Sequence, residues 1–276
     1  MLDQTIVTYC ICDEVVKSMN VKENQGCKMS TAEVMTFAIL SAQLFGCDYR
    51  KTRLITLHQK YFPKILSHSQ LVRRIHQIPE LMWRLCFAAL QLVLRNKNES
   101  DFIVDSFPVK AYENHKSFRA RIFRGRDYHG YSASRKQYFF GIKVHMIVDK
   151  SGVPIEFMFS PGSSSDIKAL QEFPLQLPPG SLFIGDKAYT SYWFEDELFT
   201  FEKIKFLVKG RQNLKRQNNP EEEFILSQYR NKIETVFSSI TSRIPRYIKA
   251  RTEKGFCLKL FFFILAYIVH LYFSVG

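Results

Sequence analysis

The sequence predicts an α/β domain built on a mixed sheet, preceded by an all-helical domain. Three observations carry this. Residues 1–98 space their apolar side chains at the three- and four-residue intervals of helices. Near Ser100 the texture changes to short apolar runs bounded by turn signals. Beyond that point strand-like and helix-like segments follow one another.

In the helical part, Val34, Phe37, Ala38, Ser41 and Leu44 mark one face of a helix that Ser30 caps, with Glu33 completing a capping box. Gly46 ends it. A second helix runs from about Gln70 to Ile78 and is interrupted by Pro79, and a third covers Leu81 to Leu94. Arg50, Lys51, Arg53, Lys60, Arg73 and Arg74 lie among these segments and suit a DNA-binding helical module. They suit a plain bundle with a solvated basic face equally well, and no recognition helix stands out.

The second part starts with Asp101–Asp105, an apolar run closed by an acid. Residues 138–149 form a second strand, the turn Lys150-Ser151-Gly152 follows, and residues 153–159 form a third, making an antiparallel meander. A helix over 166–173 follows, with Ser163, Ser164, Ser165 and Asp166 available as caps. Pro178-Pro179-Gly180 breaks the chain before a fourth strand over 181–185, which ends at Asp186. A helix over 189–200, a fifth strand over 204–208 and a long helix from Glu221 to about Ile244, opened by Pro220, complete the series. In such a mixed sheet the first strand pairs with the second and the fourth. This is the order of a ribonuclease H-like fold: a mixed five-stranded sheet flanked by helices. The expected division is 1–98, helical, and 99–276, the sheet domain, with a basic insertion at about 110–137 and a C-terminal apolar helix.

Composition narrows the function. The 276 residues carry a formal net charge of +13, an excess that a polyanion would relieve, and nucleic acid is the commonest such partner. The six cysteines form no CxxC pair and read as free thiols, so a zinc site is not expected. The N-terminal residues lack the pattern of a secretory signal. Residues 256–276 are strongly apolar, but Lys259 and His270 interrupt them, so they read as a buried helix rather than a membrane span.

The acids carry the chemistry. Asp105 and Asp186 close two apolar strands, and if those strands are neighbours both carboxylates leave the same edge of the sheet. Close like charges repel unless a cation neutralises them. A pair of Mg²⁺ ions about 4 Å apart would do so and would support phosphoryl transfer. Glu234 lies in the middle of the long helix beside the stripe Ile233, Phe237 and Ile240, within reach of the sheet edge. A mid-helix glutamate is most often a surface salt bridge, and the two strand-end aspartates are what favour a role for this one.

The sequence resembles the IS982-family insertion-sequence transposases in several ordered motifs. These are Asp105-Ser106-Phe107-Pro108-Val109; Ile122-Phe123-Arg124-Gly125 with residues 128–134; Phe140-Gly141-Ile142-Lys143-Val144-His145; Pro161-Gly162-Ser163 with Asp166; residues 185–189; Tyr229-Arg230 with residues 233–237; and Gly255-Phe256 with residues 258–260. The resemblance covers about 100–270. It implies a DDE transposase, a polynucleotidyl transferase with Asp105, Asp186 and Glu234 as catalytic residues and ligands of two Mg²⁺ ions, for which Mn²⁺ can substitute. It implies double-stranded DNA as partner (transposon terminal inverted repeats and target), a homo-oligomer on that DNA, no membrane, and a bacterial cytoplasmic, DNA-associated location. Tyr229, Arg230 and Glu234 match the signature of the last helix, but position 241 is Thr where a lysine is expected, leaving Arg243 or Arg246 to replace it.

DNA contacts are expected from Arg230, from Lys187 beside Asp186, and from Lys116, Arg119, Arg121, Arg124, Arg126, Arg135 and Lys136, interleaved with Tyr112, Phe118, Phe123, Tyr128 and Tyr131, which can stack on frayed bases. Arg211, Lys215 and Arg216 form a second basic cluster. Asp166 reads as a helix cap and His145 as structural. The alternatives to a transposase are a non-catalytic DNA-binding protein and a nuclease of the same fold that cuts without rejoining.

Overall fold

The computed structural model describes residues 2–24, 26–95, 99–133, 136–209 and 216–274. Arg135, Arg211 and Lys215, named above as DNA contacts, lie outside them.

The chain divides into two compact units. The first joins residues up to Leu94 with those from Ile240 onward. It contains α1 (Leu2–Ser18), α2 (Thr31–Phe45), α3 (Tyr49–His58), α4 (His68–Gln77), α5 (Glu80–Leu94) and a C-terminal helix, Glu253–Tyr272. The capping box on α2 forms as expected: Ser30 Oγ accepts from the Glu33 N–H at 3.1 Å, and Glu33 accepts from the Ser30 N–H at 2.7 Å. Gly46 ends α2 in the left-handed conformation.

The compact units differ from the expected division at 98/99 in where the C-terminal residues fall. Residues 240–276 belong to the helical unit because the apolar C-terminal helix is buried by its neighbours there. Phe262 packs on Trp83 with ring centroids 4.7 Å apart, and Phe261 meets Phe87 at 6.1 Å. This helix has the length and apolarity to cross a membrane, yet Phe256 and residues 260–269 are buried inside the unit. Ile240, expected to face the sheet, also falls in this unit.

The second unit, Arg95–Ser239, holds the sheet. Its strands are β1 (Asp101–Tyr112), β2 (His129–Ser132), β3 (Gln137–Asp149), β4 (Pro154–Pro161), β5 (Leu182–Gly185) and β6 (Lys205–Val208). The sheet runs β2-β3-β1-β5-β6, with β4 also on β3. β1 pairs antiparallel with β3 and parallel with β5, so the predicted neighbours of the first strand are the observed ones. Five strands were expected, and six are present among the described residues. The extra strand, β2, comes from the basic insertion, and it and β4 take successive stretches of the free edge of β3.

The helices of this unit are α6 (Asp166–Gln171), α7 (Tyr192–Glu197, continued by a π-helical turn, Leu198–Glu202) and α8 (Pro220–Thr241, which runs to the unit boundary). Strand alternation divides the core. Phe102, Val104, Phe183, Phe206 and Ile147 join Leu170 of α6 and Phe194 of α7 on one face. On the other, Phe107 packs on Phe237 of α8, with ring centroids 4.7 Å apart.

One close approach explains a pair of motif glycines. A Cβ on Gly130 of β2 would collide with the Gly162 carbonyl oxygen. A Cβ on Gly162 would stand 2.8 Å from the Tyr128 oxygen, so neither position admits a larger residue.

Candidate active site

The pairing of β1 with β5 ends at Val104 opposite Gly185. The strands are parallel, so Asp105 and Asp186 are the next residues out and leave the pair at the same level, one strand spacing apart. The apolar run 101–105 predicts that Asp105 closes the first strand. Instead β1 continues on β3 to Tyr112, and only its β5 side opens after Val104. Pro108 is tolerated in this stretch because, among the described residues, that edge of β1 has no neighbouring strand needing an N–H. Asp105 alternates with Phe107 and therefore shares the face that carries α8.

Burial pushes the Asp105 carboxyl up to about 7, and the neighbouring Asp186 and Asp166 push the same way. The Ser106 N–H, donating to Asp105 Oδ1 at 2.7 Å, and the Arg230 guanidinium work against the rise without cancelling it.

Glu234 is exposed. Its Oε1 accepts from Arg230 Nε at 2.9 Å, one helical turn earlier. Among the described residues no three His, Cys, Asp or Glu side chains converge in metal-ligating geometry. Tyr229, in the same motif, acts structurally, because its hydroxyl donates to the Asp101 carboxylate and ties α8 to the start of β1.

Asp166 was expected to cap its helix and does not. Ser165 occupies the cap position without a side-chain hydrogen bond, and the Asp166 carboxylate points back to the sheet. Ser106 Oγ donates to Asp166 Oδ1 at 3.0 Å, and Lys143 Nζ donates to the same oxygen at 3.1 Å. No sequence signal separates such a residue from a cap, because the first turn of a helix favours Asp for either purpose. His145 is fully buried with Nε2 2.8 Å from Ser160 Oγ. Burial drives its proton affinity well below the usual histidine range and keeps the ring neutral.

Of the basic residues, Lys116, Arg119, Arg121, Arg124, Arg126, Lys136 and Lys187 are exposed. Arg216 is not a free cation: it holds Asp196 through two bonds of 2.7 and 2.9 Å. Arg243 and Arg246 lie in the helical unit, Arg243 electrostatically coupled to Tyr267 and Arg246 over the Tyr247 ring. The interleaved aromatics split in two. Phe118 and Tyr131 are exposed, whereas Phe123 is buried against Tyr128, with ring centroids 5.1 Å apart.

The chain matches the family model described as the transposase DDE domain over residues 96–269, more than half its length. It belongs to the DDE transposase family. Membership makes it a transposase of the polynucleotidyl transferase class. Among solved structures the transposase is similar to a piggyBac transposase in a synaptic complex with hairpin DNA, with a TM-score of 0.57 over 98% of this chain and 75% of that one. Identity across that superposition is 12%, so the likeness is one of fold. No curated protein sequence matches the transposase. The family match is broader than the IS982 resemblance, which rests on the motifs alone.

Proposed function

We propose that the transposase cleaves DNA at transposon ends and joins them to target DNA, with Asp105, Asp186 and Glu234 as the catalytic acids. One observation carries this: the β1–β5 register brings Asp105 and Asp186 to the same level of the sheet, on the open side of β1, where the Asp186 carboxylate disfavours the charge of Asp105. Structural aspartates are normally kept apart or paired, and a close pair that its neighbours offset only in part, at parallel strand ends, is the arrangement of a functional site.

The donor set fits a divalent cation. Asp105 and Asp186 offer hard oxygen ligands to Mg²⁺ or Mn²⁺. Glu234 would join them by exchanging its Arg230 partner for the cation, a change confined to an exposed i, i+4 pair that holds it weakly. Bound there, two such ions supply an activated attacking oxygen and stabilise the leaving one. The chain supplies the rest. The Ser106 N–H holds the Asp105 carboxylate in place. Arg230, released from Glu234, is free to bind a phosphate oxygen. Double-stranded DNA lies against Lys116, Arg119, Arg121, Arg124, Arg126, Lys136 and Lys187, and Phe118 and Tyr131 stack on unpaired bases at the end. Arg135, Arg211 and Lys215, outside the described residues, are included as DNA contacts on their charge alone.

The test is cleavage of a labelled duplex carrying the matched transposon end, with Mg²⁺ or Mn²⁺, beside Asp105→Asn, Asp186→Asn and Glu234→Gln. Cleavage lost in all three variants while DNA binding persists supports the triad. Cleavage that survives in Glu234→Gln removes Glu234 from it. Binding without cleavage by the wild type turns the reading to a DNA-binding protein.

A further inference from the structure

The face of β1 opposite Asp105 holds a polar cluster that the carboxylate site does not use. Ser106 points to it, and its Oγ donates to Asp166 Oδ1 at 3.0 Å. Lys143 of β3 donates to the same oxygen at 3.1 Å and to the Ser164 carbonyl at 2.9 Å, which holds the start of α6 against the sheet. His145, opposite Ser106 in the β1–β3 register, brings its Nδ1 to 3.8 Å from Asp166. The series Ser160, His145, Asp166 resembles a nucleophilic triad in type, but Ser160 and His145 are buried and no substrate reaches the hydroxyl.

Ser106 is therefore gripped from both sides. Behind the sheet its hydroxyl is held by Asp166, itself fixed by Lys143. In front, its N–H donates to Asp105 Oδ1 at 2.7 Å. A carboxylate that must present its oxygens to a cation gains from a partner that restricts its rotation, as outer partners of metal ligands commonly do. A helix cap would not need Lys143, and a plain structural ion pair would not need a bond to the residue that orients Asp105.

We propose that Asp166 and Lys143 are positioning residues that act through Ser106: they fix the peptide whose N–H orients the Asp105 carboxylate, and so set the affinity of the site for a divalent cation. This rests on the carboxylate-site reading given above.

The test is Mn²⁺ binding to the full chain, followed by electron paramagnetic resonance of the free ion, with thermal melting recorded on the same samples. The variants are Ser106→Ala, Ser106→Thr and Asp166→Asn, beside Asp105→Asn. The expected result is Mn²⁺ affinity lowered about ten- to a hundredfold in Ser106→Ala and Asp166→Asn, and restored in Ser106→Thr, which keeps the hydroxyl. A merely structural bracket would lower the melting temperature and leave the affinity of the folded fraction unchanged. Wild-type Mn²⁺ affinity in folded Ser106→Ala, or in folded Asp166→Asn if the alanine variant does not fold, overturns the proposal. Equal binding by Asp105→Asn and wild type overturns the carboxylate-site reading instead, so the two failures are distinguishable.

Discussion

The two faces of β1 treat an aspartate in opposite ways. Behind the sheet, Asp166 receives an ammonium and a hydroxyl at 3.1 and 3.0 Å, which offset the cost of taking its charge out of water. In front, Asp105 receives one backbone N–H and stands beside Asp186, and its carboxyl is pushed up to about 7. The fold compensates the carboxylate that braces it and only partly compensates the one placed at the open strand edge. That contrast separates the acid the proposed function puts to work from the one at the start of α6 that braces the sheet.

The largest effect that bears on the contrast is chemical. Asp105→Asn or Asp186→Asn should lower metal-dependent end cleavage on the order of 10³-fold or more while DNA binding, followed by gel shift, is kept. A variant that still cleaves at the wild-type rate would place the working acid elsewhere. Next is Lys143→Met, which strands Asp166 in a mostly buried setting. Urea unfolding should show a loss of about 3 kcal/mol, and a loss below roughly 1 kcal/mol would mean that water already compensates Asp166.

Third is the pH dependence of the metal-free protein. Asp105 binds its proton more tightly folded than unfolded, so it favours the folded state while protonated, and this contribution is lost as pH rises from the ordinary carboxylate range through about 7. Between pH 5 and pH 8 the wild type should lose on the order of 2–3 kcal/mol relative to Asp105→Asn. Parallel stability curves for the two proteins would show that Asp105 is well solvated. Gly130→Ala, away from both acids, should cost about 1–3 kcal/mol by forcing apart Gly130 and the Gly162 carbonyl, as read by the shift of the unfolding midpoint. The smallest effect belongs to Arg230→Ala. It breaks an exposed pair worth about 0.5 kcal/mol or less, yet on the proposed function it should still weaken DNA binding.

Much of this was legible in the sequence for identifiable reasons. The α2 capping box is a local device whose partners lie three residues apart, and it forms as read. The first strand's two neighbours followed from the order of the elements. β2 was not legible: His129–Ser132 sits among basic residues without strand alternation and becomes a strand only because the edge of β3 offers partners. The length of β1 was missed for a similar reason, since pairing with β3 carries it through Pro108 to Tyr112. Arg216 looked like a free cation until Asp196, in another element, was brought beside it.

By itself the sequence determined the helical texture before Ser100, the α/β series after it, the basic charge and the positions of three candidate acids. These depend on residue type and short spacing, which act locally. Only the tertiary structure decided that Asp105 and Asp186 meet at one level, that Asp166 braces the sheet instead of capping a helix, and that the last apolar helix joins the N-terminal helices. Strand register, desolvation and the choice of partner for a buried charge or an apolar face depend on residues far apart in the chain, and they have no value until the chain has folded.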